Sequence, residues 1–230
     1  MHIRAVSSAV DANRFGESVC LGLGRQAGHL MPANPIQTVP AGELLFSQGD
    51  KAESVFEVLS GMVRLYKLLP DGRRQVTGFL TAGQLLGLAP EGTCVFTADT
   101  ITEVSLCRYK RDAFERLIDE VPGFARRLLA VTSHELHAAQ DQMVLLGRKS
   151  ASEKVATFLL MLPARQDDID VPMTRGDIAD YLGLTVETVS RTLTRLRQDG
   201  LIALPVPTRI RVLDRKGLEN LASGDIDELF

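Results

Sequence analysis

From about Thr38 to Tyr109 the chain alternates short apolar runs with turn signals. "SVFEVL", "GMVRLYKLL", "QVTGFL" and "EVSLCRY" are each long enough for one strand, and glycines recur at 42, 49, 61, 72 and 83. Pro70-Asp71-Gly72 is a good hairpin turn. Many short strands at this spacing predict an antiparallel β-roll, a cupin-like jelly roll. After Lys110 the period changes to 3.6 residues. "RDAFERLIDEVPGF" predicts a helix interrupted near Pro122, and a longer helix follows from about Phe124 to Arg148. Leu129, Leu136 and Met143 form one seam of that helix. Leu128, Val131, Ala138 and Leu145 form a second, roughly 140° away at about 100° per residue. Two apolar seams require two covered faces. One can rest on the β-domain; the other wants the same helix of a second subunit, unless both are covered within the chain. The expected dimerisation residues are Leu128, Val131, Leu136, Ala138, Met143 and Leu145.

"RKSASEKVATFLLML" opens a second unit. Ser150 or Ser152 can cap a helix with apolar positions Val155, Phe158, Leu159 and Leu162, which Pro163 and the acidic "RQDDID" then end. In "MTRGDIADYLGL", Thr174 is followed three residues later by Asp177, a capping-box-like start. Ile178, Ala179 and Leu182 make a short apolar face, and Gly183 supplies a tight turn. The next helix takes Thr185 as its N-cap. Val186, Val189, Leu193 and Leu196 fall within about 80° of one another as an inner stripe, and Glu187, Ser190, Arg191 and Thr194 lie about 130° away, facing outward.

Two short helices about a glycine turn, the second presenting polar side chains, describe a helix-turn-helix. The chemistry suits a DNA major groove. A guanidinium bonds bidentately to guanine, a carboxylate accepts from cytosine N4, and a hydroxyl serves either kind of edge. Glu187 and Arg191 are also an i, i+4 pair, which by itself reads as a surface salt bridge. "DGLIALPVPTRIRVLD" reads as strand, turn and strand, the mark of a winged form. It sets Arg209 and Arg211 on one strand face, either for phosphate or for solvent. Backbone contacts to DNA are expected from Thr174, Arg175, Thr185, Thr188, Thr194, Arg195 and Arg209.

The fold class is therefore α+β. An N-terminal arm (1–34) precedes a β-roll (35–110), a helical linker with a long central dimerisation helix (111–147), a C-terminal winged helix-turn-helix domain (148–220, motif 174–196) and an acidic tail (221–230).

Charge sharpens this division. The net charge of the 230 residues is −3, which alone discourages a polyanion partner. Yet residues 148–216 hold 12 basic against 9 acidic side chains, whereas 1–147 hold 14 against 16 and the last 14 residues hold 0 against 4. The positive balance sits with the helix-turn-helix. Three cysteines, Cys20, Cys94 and Cys107, form no ligand cluster and no disulfide framework. The N-terminus has no apolar h-region, and no run approaches the roughly 18 apolar residues of a spanning helix. The expectation is a soluble, cytoplasmic protein with no membrane contact.

The roll, the long helix and "MTRGDIADYLGLTVETVSRTL" together resemble the CRP/FNR superfamily of bacterial transcription regulators, over about residues 38–220. The resemblance is strongest to the FNR and FixK branches, in "QVTGFLTAGQLLGL", "LLGRKSASEKVATFLL" and the helix-turn-helix. It implies that the Glu, Ser and Arg of E-x-x-S-R, here Glu187, Ser190 and Arg191, read the bases. The implied target is a TTGA-N6-TCAA-like palindrome bound by a homodimer, one half-site per subunit. It also implies contact with RNA polymerase, for which the loop at Asp71, Gly72, Arg73 and Arg74 resembles one surface used; a plain hairpin tip explains that loop equally well.

Departures from the family shape the rest. Cyclic-AMP-binding relatives place a Glu after the glycine equivalent to Gly87 and an Arg before a Ser-Ala pair; here those positions are Leu88 and Phe96. An anionic nucleotide would lack its charge partner. Cys20 alone near the N-terminus falls short of the four thiolates of an iron–sulfur cluster. No cofactor is expected. The leading expectation is a FixK/FNR-type activator, not an enzyme. A sensor of haem, nitric oxide or another small ligand is the alternative, although His134 and His137 read as solvated and His2 and His29 are the only other histidines. A cupin-like metalloenzyme is remote, because residues 38–110 contain no histidine.

Overall fold

The computed structural model describes residues 36–89 and 91–224. The arm predicted over 1–34, with His2, Cys20 and His29, lies outside the described residues, as does the tail beyond Gly224.

Eight strands build the roll: β1 (Ile36–Val39), β2 (Leu44–Phe46), β3 (Ser54–Ser60), β4 (Val63–Leu68), β5 (Arg74–Leu80), β6 (Leu85–Leu86), β7 (Thr97–Thr100) and β8 (Val104–Lys110). They form two antiparallel sheets, β1-β8-β3-β6 and β2-β7-β4-β5. Phe56, Val58, Val63, Leu80, Leu86, Ala98, Val104 and Leu106 are buried together in the roll. The turn at Pro70-Asp71-Gly72 joins β4 to β5 as the sequence predicts; Gly72 takes φ +82°, a left-handed value that suits glycine.

The helical middle begins with α1 (Arg111–Glu120), which stops ahead of Pro122. The long helix α2 (Phe124–Arg148) then starts after Gly123. Its two seams have different fates. Leu128 and Val131 pack against the cluster of Val55, Tyr109, Phe114, Leu117 and Phe124. Leu145 is 2% exposed and joins the core of the C-terminal half. Ala138 lines a cavity beside β5. The seam of Leu129, Leu136 and Met143 stays open, at 67%, 59% and 71% exposure. Of the expected dimerisation residues, Leu145 is buried within its own chain, Leu128 and Val131 are half-buried against it, and Leu136 and Met143 are open together with Leu129.

The C-terminal half contains α3 (Ala151–Met161), β9 (Ala164–Arg165), β10 (Asp168–Asp170), α4 (Arg175–Leu182), α5 (Val186–Gln198), β11 (Ile202–Val206), β12 (Arg209–Val212) and α6 (Arg215–Ser223). Ser150 caps α3 in a full capping box with Glu153. The helix ends at Met161, ahead of Pro163, and "RQDDID" goes on to supply Arg165 of β9 and all of β10, so the wing is a four-stranded sheet, β11-β12-β10-β9, rather than a lone hairpin. The acidic tail expected over 221–230 begins later in its described part, since α6 runs through Ser223 and buries Ala222.

One core joins the halves. Met62, Val76 and Phe79 of the roll share it with Phe158, Tyr181, Leu182 and Leu193. Phe79 lies 5.3 Å from Tyr181 and 6.2 Å from Phe158, centroid to centroid. Burial of each such ring contributes about 1.5–3 kcal/mol. Among the described residues, no helix is long and apolar enough to cross a membrane.

Candidate nucleic-acid interface

The helix-turn-helix is set by its caps. The Thr174 hydroxyl accepts from Asp177 N at 3.1 Å, and the Asp177 carboxylate accepts in return from the Thr174 backbone N–H at 2.9 Å. Gly183 ends α4 with φ +61°, and α5 begins at once, its Thr185 hydroxyl accepting from Thr188 N at 3.2 Å. Val189, Leu193 and Leu196 are buried against the core. That rotation turns Glu187, Ser190 and Arg191 to solvent together. Glu187 folds back on the helix start: hydrogen bonds from its own backbone N–H and from the Thr185 hydroxyl hold its carboxyl below the usual range, and the Arg191 charge adds to them.

The inner stripe differs from the sequence reading at both ends of its logic. Val186 is 44% exposed, because as the first helical residue it lies ahead of the turn that α4 covers. Thr192 is buried in its place. Val186 thus stands exposed beside Glu187 in the first turn of α5; were that turn to enter a major groove, a thymine methyl would be the apolar base-edge feature it could meet. The signal was present in the sequence: an N-cap at Thr185 puts residue 186 in the first turn, outside the helix-wheel argument.

The expected backbone-contacting residues fall into two groups. Arg195 and Thr185 lie on the open side of α5, Arg195 in a loose 3.7 Å pair with Asp199, while Thr188 is half-buried with its hydroxyl 3.1 Å from that of Thr185. Thr194 is exposed, with its hydroxyl donating to the Ser190 carbonyl at 2.9 Å. By contrast the Thr174 hydroxyl is committed to the cap, donating to Asp177 at 2.7 Å. Arg175 is drawn inward; one terminal nitrogen is buried without a hydrogen-bond partner, and burial lowers its pKa. On the wing, Arg209 and Arg211 do share a face, but β10 sets a carboxylate across from each. Arg211 Nε donates to Asp168 at 2.7 Å, and Arg209 Nε meets Asp170 at 3.4 Å.

The loop at Asp71–Arg74 divides likewise. Asp71 and Arg73 pair with each other at the tip, at 2.7 Å. Arg74 is not part of a free surface: its Nε donates to Asp180 at 2.8 Å and its Nη2 to Asp177 at 2.7 Å. Beneath the Gly87 turn, a cavity of about 250 Å³ is lined by Phe46, Leu65, Leu88, Val95 and Phe96, among others, with Glu135 as its charged side chain. Lys67 Nζ lies 5.1 Å from the centroid of the Phe96 ring, one wall of this cavity.

Comparison with known proteins decides the family. The Crp-like helix-turn-helix domain matches residues 153–221, and the cyclic nucleotide-binding domain matches residues 36–121. The transcriptional activatory protein AadR of Rhodopseudomonas palustris is 47% identical over 188 residues, 79% of this chain and 78% of that protein. The nitrogen fixation regulation protein FixK of Bradyrhizobium diazoefficiens is 47% identical over 190 residues, 80% of each. The chain belongs to the CRP/FNR family. Its place is in the FNR/FixK branch, and the solved FixK2 of Bradyrhizobium japonicum superposes with TM-score 0.77 at 39% identity, covering 81% of this chain and 96% of that one. As a CRP/FNR member the chain is a DNA-binding transcription regulator of FixK/FNR type and not an enzyme, which removes the cupin-like metalloenzyme reading.

Proposed function

We propose that the chain activates transcription as a cytoplasmic homodimer bound to a TTGA-N6-TCAA-like promoter palindrome, needing neither cyclic nucleotide nor iron–sulfur cluster. Glu187, Ser190 and Arg191 read base edges, with Val186 beside them. Thr185, Thr188, Arg195 and, on the wing, Arg209 hold phosphates. The open seam of α2 joins the subunits, and Asp71, Gly72 and Arg73 offer RNA polymerase an exposed hairpin tip.

One observation carries this reading: the polar trio of α5 is open to solvent while Val189, Leu193 and Leu196 on the same helix are buried. The test is selection of bound DNA from a random pool by purified protein with no effector added. A two-fold-symmetric consensus is the expected result. Sequences without symmetry or without a guanine in each half-site would overturn it. A second reading makes the roll a sensor of haem, nitric oxide or another ligand and rests on the 250 Å³ cavity beneath Gly87. A Soret band in protein made with haem available would favour it.

A further inference from the structure

A charged cluster lies between the roll and the helix-turn-helix. We propose that Arg64 and Arg74 of the roll are positioning residues for DNA recognition: through Asp177 they fix the orientation of the reading helix and so the spacing of half-sites that the dimer accepts. This rests on the dimer-and-palindrome reading above.

The geometry converges on one carboxylate. The Asp177 side chain is 5% exposed. Its Oδ2 accepts from the backbone N–H and hydroxyl of Thr174, closing the cap of α4. Its Oδ1 accepts from Arg64 Nη1 and from Arg74 Nη2. Thus one oxygen defines where α4 begins, and the other ties that point to β4 and β5. Arg64 is steadied by Asp99 on β7 through both Nε and Nη2. Arg74 reaches on to Asp180 one turn along α4, and Gln75 donates to the Asp180 carbonyl at 2.7 Å. Both guanidinium carbons stand close to the Tyr66 ring, 5.4 and 5.5 Å from its centroid. α4 is therefore held at its cap and again at Asp180, which defines a direction rather than a point.

The consequence follows from connectivity. α5 follows α4 after Gly183 and packs on it, so it inherits the direction of α4. α2 carries the open dimer seam and packs on the roll through Leu128 and Val131. The path from dimer axis to reading helix thus runs through the roll and this cluster, in parallel with the covalent link at Lys149 and Ser150 and with the apolar core that Leu145, Phe79 and Tyr181 share. Dimeric helix-turn-helix proteins convert the separation of their reading helices into half-site spacing. Stability alone is a weak reason to bury these charges, since well-packed apolar groups often do as well, whereas fixing register is the best-attested use of such pairs.

The experiment uses the full chain and measures affinity for the palindrome, for versions with spacers one base pair shorter and one longer, and for a palindrome with the half-site guanines replaced. In the double variant Arg64→Met/Arg74→Met, the preference for the native spacer should fall about tenfold, the scale of one mismatched base pair, while discrimination against the guanine replacement is kept. A merely structural role would lower Tm and leave spacer preference intact. If the double variant does not fold, Arg74→Lys keeps the charge but loses the fork to Asp177 and Asp180; it should show the same relaxation in smaller degree. Unchanged spacer preference in the folded variants overturns the positioning role, as does a wild type that discriminates bases but not spacers. A wild type that discriminates neither sinks the underlying DNA reading instead.

Discussion

Asp168 and Arg211 face each other across β10 and β12, the carboxylate accepting from Nε at 2.7 Å and from Nη2 at 3.1 Å. That hydrogen-bonded fork holds the Asp168 carboxyl below its usual range. Two positions along, Asp170 stands opposite Arg209 at the looser distance of 3.4 Å. The wing therefore presents two cations already partly neutralised, and the looser one is the better candidate for a phosphate.

This ordering makes a prediction about salt. Arg209→Ala should weaken all DNA sequences alike and reduce the slope of log affinity against log salt by about 0.9, the value for one phosphate contact. Asp170→Asn should do the reverse, since Arg209 then gives up no partner on binding. Titrations on specific and random duplexes between low and moderate salt check both. An unchanged slope in Arg209→Ala removes that residue from the phosphate contacts.

Base reading should respond differently. Arg191→Ala is expected to cost about 1–3 kcal/mol on the palindrome and to relax discrimination at the guanine. Val186→Ser is expected to relax preference at a neighbouring thymine while leaving the guanine preference in place. Competition with single-base variants of the site separates the two. Arg191→Ala protein that bound as tightly and selectively as wild type would mean that the exposed face of α5 is not the reading face.

Acid should loosen the joint between the halves. Burial alone would raise the Asp177 carboxyl; the hydrogen bonds from Thr174 and the charges of Arg64 and Arg74 outweigh it and bring it below the ordinary 3.8. A carboxyl lowered in the folded state stabilises the fold above its unfolded value, and that contribution is lost as pH falls through the folded value. The loss belongs below about pH 4. Melting temperatures measured from neutral pH downward should fall less steeply in Asp177→Asn than in wild type, because the substitution removes this titration while other lowered carboxyls such as Asp168 keep titrating in both. Parallel curves would show that Asp177 is not held in this way.

How legible this was in the sequence depends on whether the cause was local. Caps at Thr174 and Thr185, the Gly183 turn and the break at Pro122 are decided within four residues, and each is where the pattern puts it. The shared outward face of Glu187, Ser190 and Arg191 follows from helix period alone. Partners distant in sequence were hidden. Nothing local announces that Asp177 meets Arg64, 113 residues away, or that "RQDDID" returns as strand β10 opposite the wing arginines. Seams were visible on α2, but periodicity says only that two faces are apolar and not which one the chain itself covers.

That last distinction can be tested on α2 directly. Leu136 and Met143 are open, so Leu136→Glu or Met143→Glu should leave the melting transition of the protomer nearly intact. Each would place like charges against their own copies across a two-fold axis. Sedimentation should then shift from dimer to monomer, and the advantage of a palindrome over a single half-site should vanish. Leu145 is enclosed by its own chain, so Leu145→Ala should instead cost about 2–5 kcal/mol of folding stability with the dimer retained. If Leu136→Glu stayed dimeric and kept the palindrome advantage, the subunits would have to meet somewhere other than this seam. If Leu145→Ala dissociated without loss of stability, the assignment of the two faces would be reversed.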